Sequence, residues 1–176
     1  MTKLPTVEEF TESTPPEEDL DGFCAWKNFG GLDLEAAYEK FVTAPEVYQE
    51  DFMFMGARAF RFYFPVIDRY LRTVEGPQYQ FGEEAWILGC VMRQQFQTDA
   101  RRLASIQESA LALCEHILDE LERTPPGPDA SWTTEEIVKS WLEAWSWVMP
   151  KPQRKKGEPR RRAKRPWPKK ASPDAT

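Results

Sequence analysis

Apolar positions recur at helical intervals along most of the chain. In "LEAAYEKFV", Leu34, Ala37, Tyr38, Phe41 and Val42 share one side of a helix, with Asp33 placed as its N-cap and Pro45 closing it or opening the next turn. A second helix spans Glu83 to about Gln97, with Ala85, Leu88, Met92 and Phe96 on one face. The clearest pattern runs from Ala100 to Arg123, where Leu103, Ile106, Ala110, Leu113, Ile117 and Leu121 follow steps of 3, 4, 3, 4 and 4. Thr133 and Glu136 have capping-box spacing for a last helix, whose apolar stripe is Ile137, Trp141, Ala144, Trp145 and Val148.

One segment reads two ways. In "GARAFRFYFPVIDRYLR", Phe60, Phe62 and Phe64 alternate as in a strand, yet Phe60, Phe64, Ile67 and Leu71 also make a helical stripe. Helix is favoured, broken or kinked at Phe64-Pro65 with Pro65 starting a second segment. "FCAWKNFGG" brings apolar rings up to a Gly-Gly turn, and "EGPQYQFG" and "TPPGPDASW" read as loops. With no strand series and no repeat, the expected fold is all-α, an irregular or orthogonal bundle of five to six helices over residues 23–150.

Charge divides the chain of 176 residues more sharply than its total of -6 suggests. Residues 1–150 carry a net -15 and residues 151–176 a net +9. Residues 1–22, rich in Pro, Thr and Glu, are expected to form a flexible or loosely docked lead-in. The last 26, with five prolines and almost no apolar side chain, are expected to be a disordered basic tail. No apolar run is long enough for a membrane span, and Cys24, Cys90 and Cys114 form neither a disulfide framework nor a zinc pattern. These features point to a cytoplasmic protein in a reducing compartment.

Candidate chemistry is sparse. A single histidine, His116, excludes di-iron bundles with paired Glu-x-x-His motifs and zincins with two histidines. His116 with Glu115, Asp119 and Glu120 is expected to be a solvated helix face, and Cys90 and Cys114 packing cysteines rather than nucleophiles. No glycine-rich phosphate cradle exists, so no cofactor, metal site or catalytic residue is expected.

The stretch "YQEDFMFM" is the candidate binding surface: Tyr48, Glu50, Asp51, Phe52, Met53, Phe54 and Met55. Adjacent residues of a helix point about 100° apart, so Glu50 and Asp51 cannot share one proton as a catalytic dyad does. One is expected to hold an arginine among Arg58, Arg61, Arg69 and Arg72, and the other to face outward. Eight Phe and Tyr between residues 48 and 70 exceed what one face can hide, leaving some for a partner.

The pattern Tyr48-x-Glu50-Asp51-x-Met53-x-Met55, followed by Phe60-x-x-Tyr63 and Tyr70-Leu71, resembles one in small uncharacterised bacterial proteins, some of the immunity-protein type. That resemblance implies an intracellular binding protein without catalysis. A second reading rests on the tail, where Lys155, Lys156, Arg160, Arg161, Arg162, Lys164 and Arg165 could neutralise nucleic-acid phosphates. The expected function is therefore binding of a protein partner through an acidic and aromatic surface. Its alternative is a nucleic-acid-associated accessory protein anchored by the tail.

Overall fold

A computed structural model describes residues 3–15, 17–73, 83–125 and 133–150. The basic tail, with its seven candidate polyanion-binding residues, lies outside them. The described residues form an all-α bundle without strands. Its helices are α1 (Val7–Phe10), α2 (Leu20–Phe29), α3 (Leu34–Thr43), α4 (Pro45–Tyr48), α5 (Asp51–Phe54), α6 (Ala57–Thr73), α7 (Glu83–Asp99), α8 (Gln107–Arg123) and α9 (Thr134–Val148).

The caps expected from the sequence are present. Asp33 accepts a hydrogen bond from the Ala36 amide at 2.9 Å, Pro45 sits in the first turn of α4, and Thr133 and Glu136 form a reciprocal capping box on α9. Helix α2 starts on Asp19, whose carboxylate accepts from the Gly22 amide at 2.9 Å. Just beyond its end, Gly31 takes φ 79°, a left-handed conformation that favours glycine.

Two expectations about helix limits are corrected. Helix α6 runs unbroken through Pro65. The ring lies on the solvent side, and the carbonyl it leaves without an amide donor belongs to exposed Arg61, where water can serve. The expected helix over 100–123 begins only at Gln107. Before it the chain turns at 100–103, with the Arg102 and Leu103 amides both bonded to the Asp99 carbonyl, and passes through a 3₁₀ turn, Ala104–Ile106. Leu103 stays fully buried through that bend, so the apolar spacing persists although the helix does not.

Helix α9 packs along α7 and α8, while α6 touches α1, α3, α7 and α8, so one apolar core joins both halves. The stripe Phe60, Phe64, Ile67 and Leu71 of α6 is buried, as are Ala85, Leu88, Met92 and Phe96 of α7. The crossing of α7 and α9 is close. A Cβ at Gly89 would lie 2.4 Å from Ser140 Oγ, 3.1 Å from Ser140 Cβ and 3.2 Å from Trp141 Nε1. Trp141 is fully buried and donates from Nε1 to the Ala85 carbonyl at 2.8 Å. In the other half, the Tyr63 hydroxyl reaches the Phe29 and Leu32 carbonyls at 2.6 and 2.8 Å, joining α6 to the end of α2. Burial pushes its pKa up to about 12, which keeps it a proton donor.

The N-terminal segment, expected to be a flexible or loosely docked lead-in, is anchored at Phe10 and Glu12. Phe10 is buried in the core with its ring edge-on to Trp26 at 5.4 Å, and its carbonyl accepts from the Gly56 amide at 2.7 Å. Glu12 and Ser13 then turn the chain through two consecutive left-handed residues, φ 51° and 65°. The turn aims the Glu12 carboxylate at the Ala57 amide, 2.8 Å away at the start of α6, and at Arg102 Nη1, 2.5 Å away. One apolar ring and one bridging carboxylate override a polar composition.

Candidate functional site

Helices α4 and α5 carry the candidate stretch. Gln49 and Glu50 between them keep helical dihedrals, so residues 45–54 follow one nearly continuous helical path. Phe52 and Met55 point into the core, Asp51, Tyr48 and Met53 are half-buried, and Glu50 and Phe54 are exposed. Phe52 meets Phe29 at 5.1 Å and Phe41 at 5.3 Å between ring centroids. The segment is thus a seam: one side completes the aromatic core and the other faces solvent.

Glu50 and Asp51 diverge as helical geometry requires, but among the described residues neither pairs with an arginine. Arg58 pairs with Glu9 at 2.7 Å, Arg69 with Glu35 at 2.8 Å and Arg72 with Asp68 at 2.9 Å, while Arg61 donates to the Arg102 carbonyl at 3.3 Å. Asp51 instead accepts from Asn28 Nδ2 at 2.8 Å, linking α5 to α2. Burial raises its carboxyl above the ordinary aspartate range; the Asn28 hydrogen bond and nearby Lys40 oppose that shift, and Glu50 adds to it. The Lys40 ammonium also lies 4.9 Å from the centroid of the Tyr48 ring.

A raised carboxyl pKa in the folded state means that folding disfavours the anion. The cost is absent below the unfolded-state pKa and complete above the folded-state one, so stability falls as pH rises through that window. Asp51→Asn, uncharged throughout and still able to accept from Asn28, is expected to be more stable than the parent chain at pH 7. The gain should stay below about 1 kcal/mol, because solvent screens this partly exposed group. Urea unfolding at several pH values checks this, with the difference between the two proteins shrinking toward acid pH.

The backbone of α5 is held from below by Gln95 of α7. Its Nε2 donates to the carbonyls of Phe52, Met53 and Met55 at 2.9, 3.2 and 2.8 Å, satisfying the carbonyls that a one-turn helix leaves at its end. Gly56 follows, and a Cβ there would come within 2.5 Å of the Glu9 carbonyl and 2.6 Å of Glu12 Oε1. The α1 hook therefore sits directly on the end of α5. A shallow cavity of about 220 Å³ opens beside this junction, lined in part by Asp19, Met53, Phe54, Gln94 and Thr98.

Val47, Glu50, Asp51 and Phe54 share one side of the 45–54 path by their three- and four-residue spacing. Val47 is 62% exposed and Phe54 37%, and Leu20, next to Asp19 of the cavity rim, is 66% exposed. Glu46, Glu50, Asp19 and Asp21 supply negative charge along α4, α5 and the start of α2. Buried Gln95 and half-buried Asn28 and Lys40 support this surface and were not among the residues singled out by sequence pattern. Only Gln95 leaves a trace in the sequence, as a polar side chain three residues after Met92, in step with the apolar stripe of α7.

Burial pushes the Cys114 thiol up to about 12 and raises that of half-buried Cys90, so neither is a ready nucleophile. His116 is held below its usual pKa, mainly by burial and further by Arg72 and Arg123; Glu120 beside it pairs with Arg123. Among the described residues, no three His, Cys, Asp or Glu side chains are placed to hold a metal ion, and no helix is long and apolar enough to cross a membrane. No protein-family model, curated protein or solved structure matches the chain.

Proposed function

We propose that this chain is a non-catalytic binding protein, of an immunity-like or regulatory kind, that engages a basic protein partner through the α4–α5 face. The observation that carries the reading is the pair of exposed apolar side chains Val47 and Phe54 flanking Glu50 and Asp51 on one face. Apolar anchors among carboxylates suit a partner that offers a pocket rimmed by Lys or Arg. The net charge of -15 on residues 1–150 steers such a partner toward the body. Three unpaired cysteines fit a reducing, cytoplasmic setting.

Photo-crosslinking from a benzophenone side chain placed at Val47 or Phe54 of the full chain, inside the source cells, should trap one discrete basic protein. Phe54→Asp with Glu50→Lys should abolish the crosslink from position 47 while leaving the helical circular dichroism unchanged. Turnover by the purified chain on a broad hydrolase or transferase panel, or crosslinks insensitive to both substitutions, would overturn the reading.

A further inference from the structure

A cleft of about 740 Å³ lies among the segment before α1, the start of α3, the first half of α6 and the 3₁₀ turn, and shares no residue with the α4–α5 face. Its walls include Leu4, Pro5, Leu34 and Phe62, and its charged lining consists of Lys3, Arg58 and Arg61 with one carboxylate, Asp33. Three cations of a strongly acidic body thus converge on one apolar hollow.

The carboxylates beside them are already engaged. Glu9 pairs with Arg58 and also accepts from the Thr6 amide at 3.1 Å, and Asp33 caps α3. Among the described residues Arg61 has only the Arg102 carbonyl, at 3.3 Å, and neither Arg61 nor Lys3 forms an ion pair. Two uncompensated cations above an apolar wall make a site for a negative head carried on an apolar body. The volume falls within the roughly 300–1,000 Å³ of small-molecule sites.

We propose that this cleft binds a small amphipathic anion, its carboxylate or phosphate head on Arg61 and Lys3 and its apolar body against Leu34 and Phe62. Arg58 stays with Glu9 and contributes field rather than a direct bond. Serine at position 105 offers the head one neutral donor.

The full chain, labelled with ¹⁵N, is titrated with decanoate, decyl phosphate and decyltrimethylammonium below their micelle concentrations. The amide shifts of Leu4, Leu34, Phe62 and Ser105 are followed. The two anions should shift these amides saturably and the cation should not; the stronger of the two anions identifies the head. Arg61→Glu should weaken anion binding at least tenfold, while Arg101→Glu, an exposed change of the same charge outside the cleft, should alter it less than twofold. If Arg61→Glu disturbs the fold, Lys3→Glu gives the same reading. Equal binding of the cation, unchanged affinity in the cleft variants, or shifts confined to the Val47–Phe54 face would overturn the proposal.

Discussion

Gln95→Leu is expected to lower the unfolding free energy by about 2–3 kcal/mol, although the new side chain has nearly the same size. Three carbonyls at the end of α5 lose their donor, and each buried polar group left unpaired costs about 1–3 kcal/mol, less where solvent or a shared proton softens the loss. The damage should be local as well as global. Amide exchange at 52–57 should accelerate more than at α8 or α9, because the anchor of α5 is gone while the α7–α9 crossing is intact. Under the function proposed here, partner binding should weaken in parallel, since an unanchored α5 no longer presents Phe54 and Glu50 in a fixed geometry. Denaturant unfolding and hydrogen exchange together check this. A loss below about 0.5 kcal/mol with unchanged exchange would mean that Gln95 is not what secures the segment.

Gly89→Val is expected to cost about 3 kcal/mol, at the upper end for overpacking a core. The first added atom already falls 2.4 Å from Ser140 Oγ, and the two further methyls have Ser140 Cβ and the Trp141 indole before them. Ser140 Oγ is itself bonded to the Ile137 carbonyl at 2.8 Å, so rotating it away leaves that carbonyl without its side-chain donor. In a domain of this size the melting temperature should fall by about 6–12 °C. Trp141 fluorescence should change as the helices part. Ser140→Gly in the same chain should recover part of the loss, a coupling that two distant sites would not show. Additive effects of the two substitutions would place the cost in helix propensity rather than in the crossing.

The fold was legible in the sequence wherever a helix buries one regular stripe. Helices α3 and α9 announce themselves by period and cap, and α6 and α7 by period alone; most of their core residues follow, although Leu34 and Val42 of the α3 stripe are exposed. The start of α8 was not legible, because Leu103 and Ile106 keep helical spacing through a turn that contains neither glycine nor proline. The docking of α1 was hidden for a related reason. A single Phe10 in an acidic stretch has no periodicity, and its partner Gly56, like Ala57 that donates to Glu12, lies more than 40 residues away in sequence. At the candidate surface, helical geometry alone separated Glu50 from Asp51, but nearness in sequence named arginines where the fold supplied Asn28 and Lys40. Long-range side-chain pairing depends on topology, and a stripe does not encode it.

The Glu12 hook has a consequence for the order in which the chain matures. Its carboxylate closes on Arg102, 90 residues later. On a ribosome adding about 5–20 residues per second, the hook therefore exists for about 5–18 s before its far anchor has been made. Its near anchors come sooner: Phe10 meets the Trp26 ring and the Gly56 amide, and Glu12 the Ala57 amide, so the segment can dock on α2 and α6 while the Arg102 contact is still missing. The Arg102 ion pair is thus a late latch on a segment whose apolar anchors, Trp26 and Tyr63, are made earlier, and the nascent chain does without that latch longest.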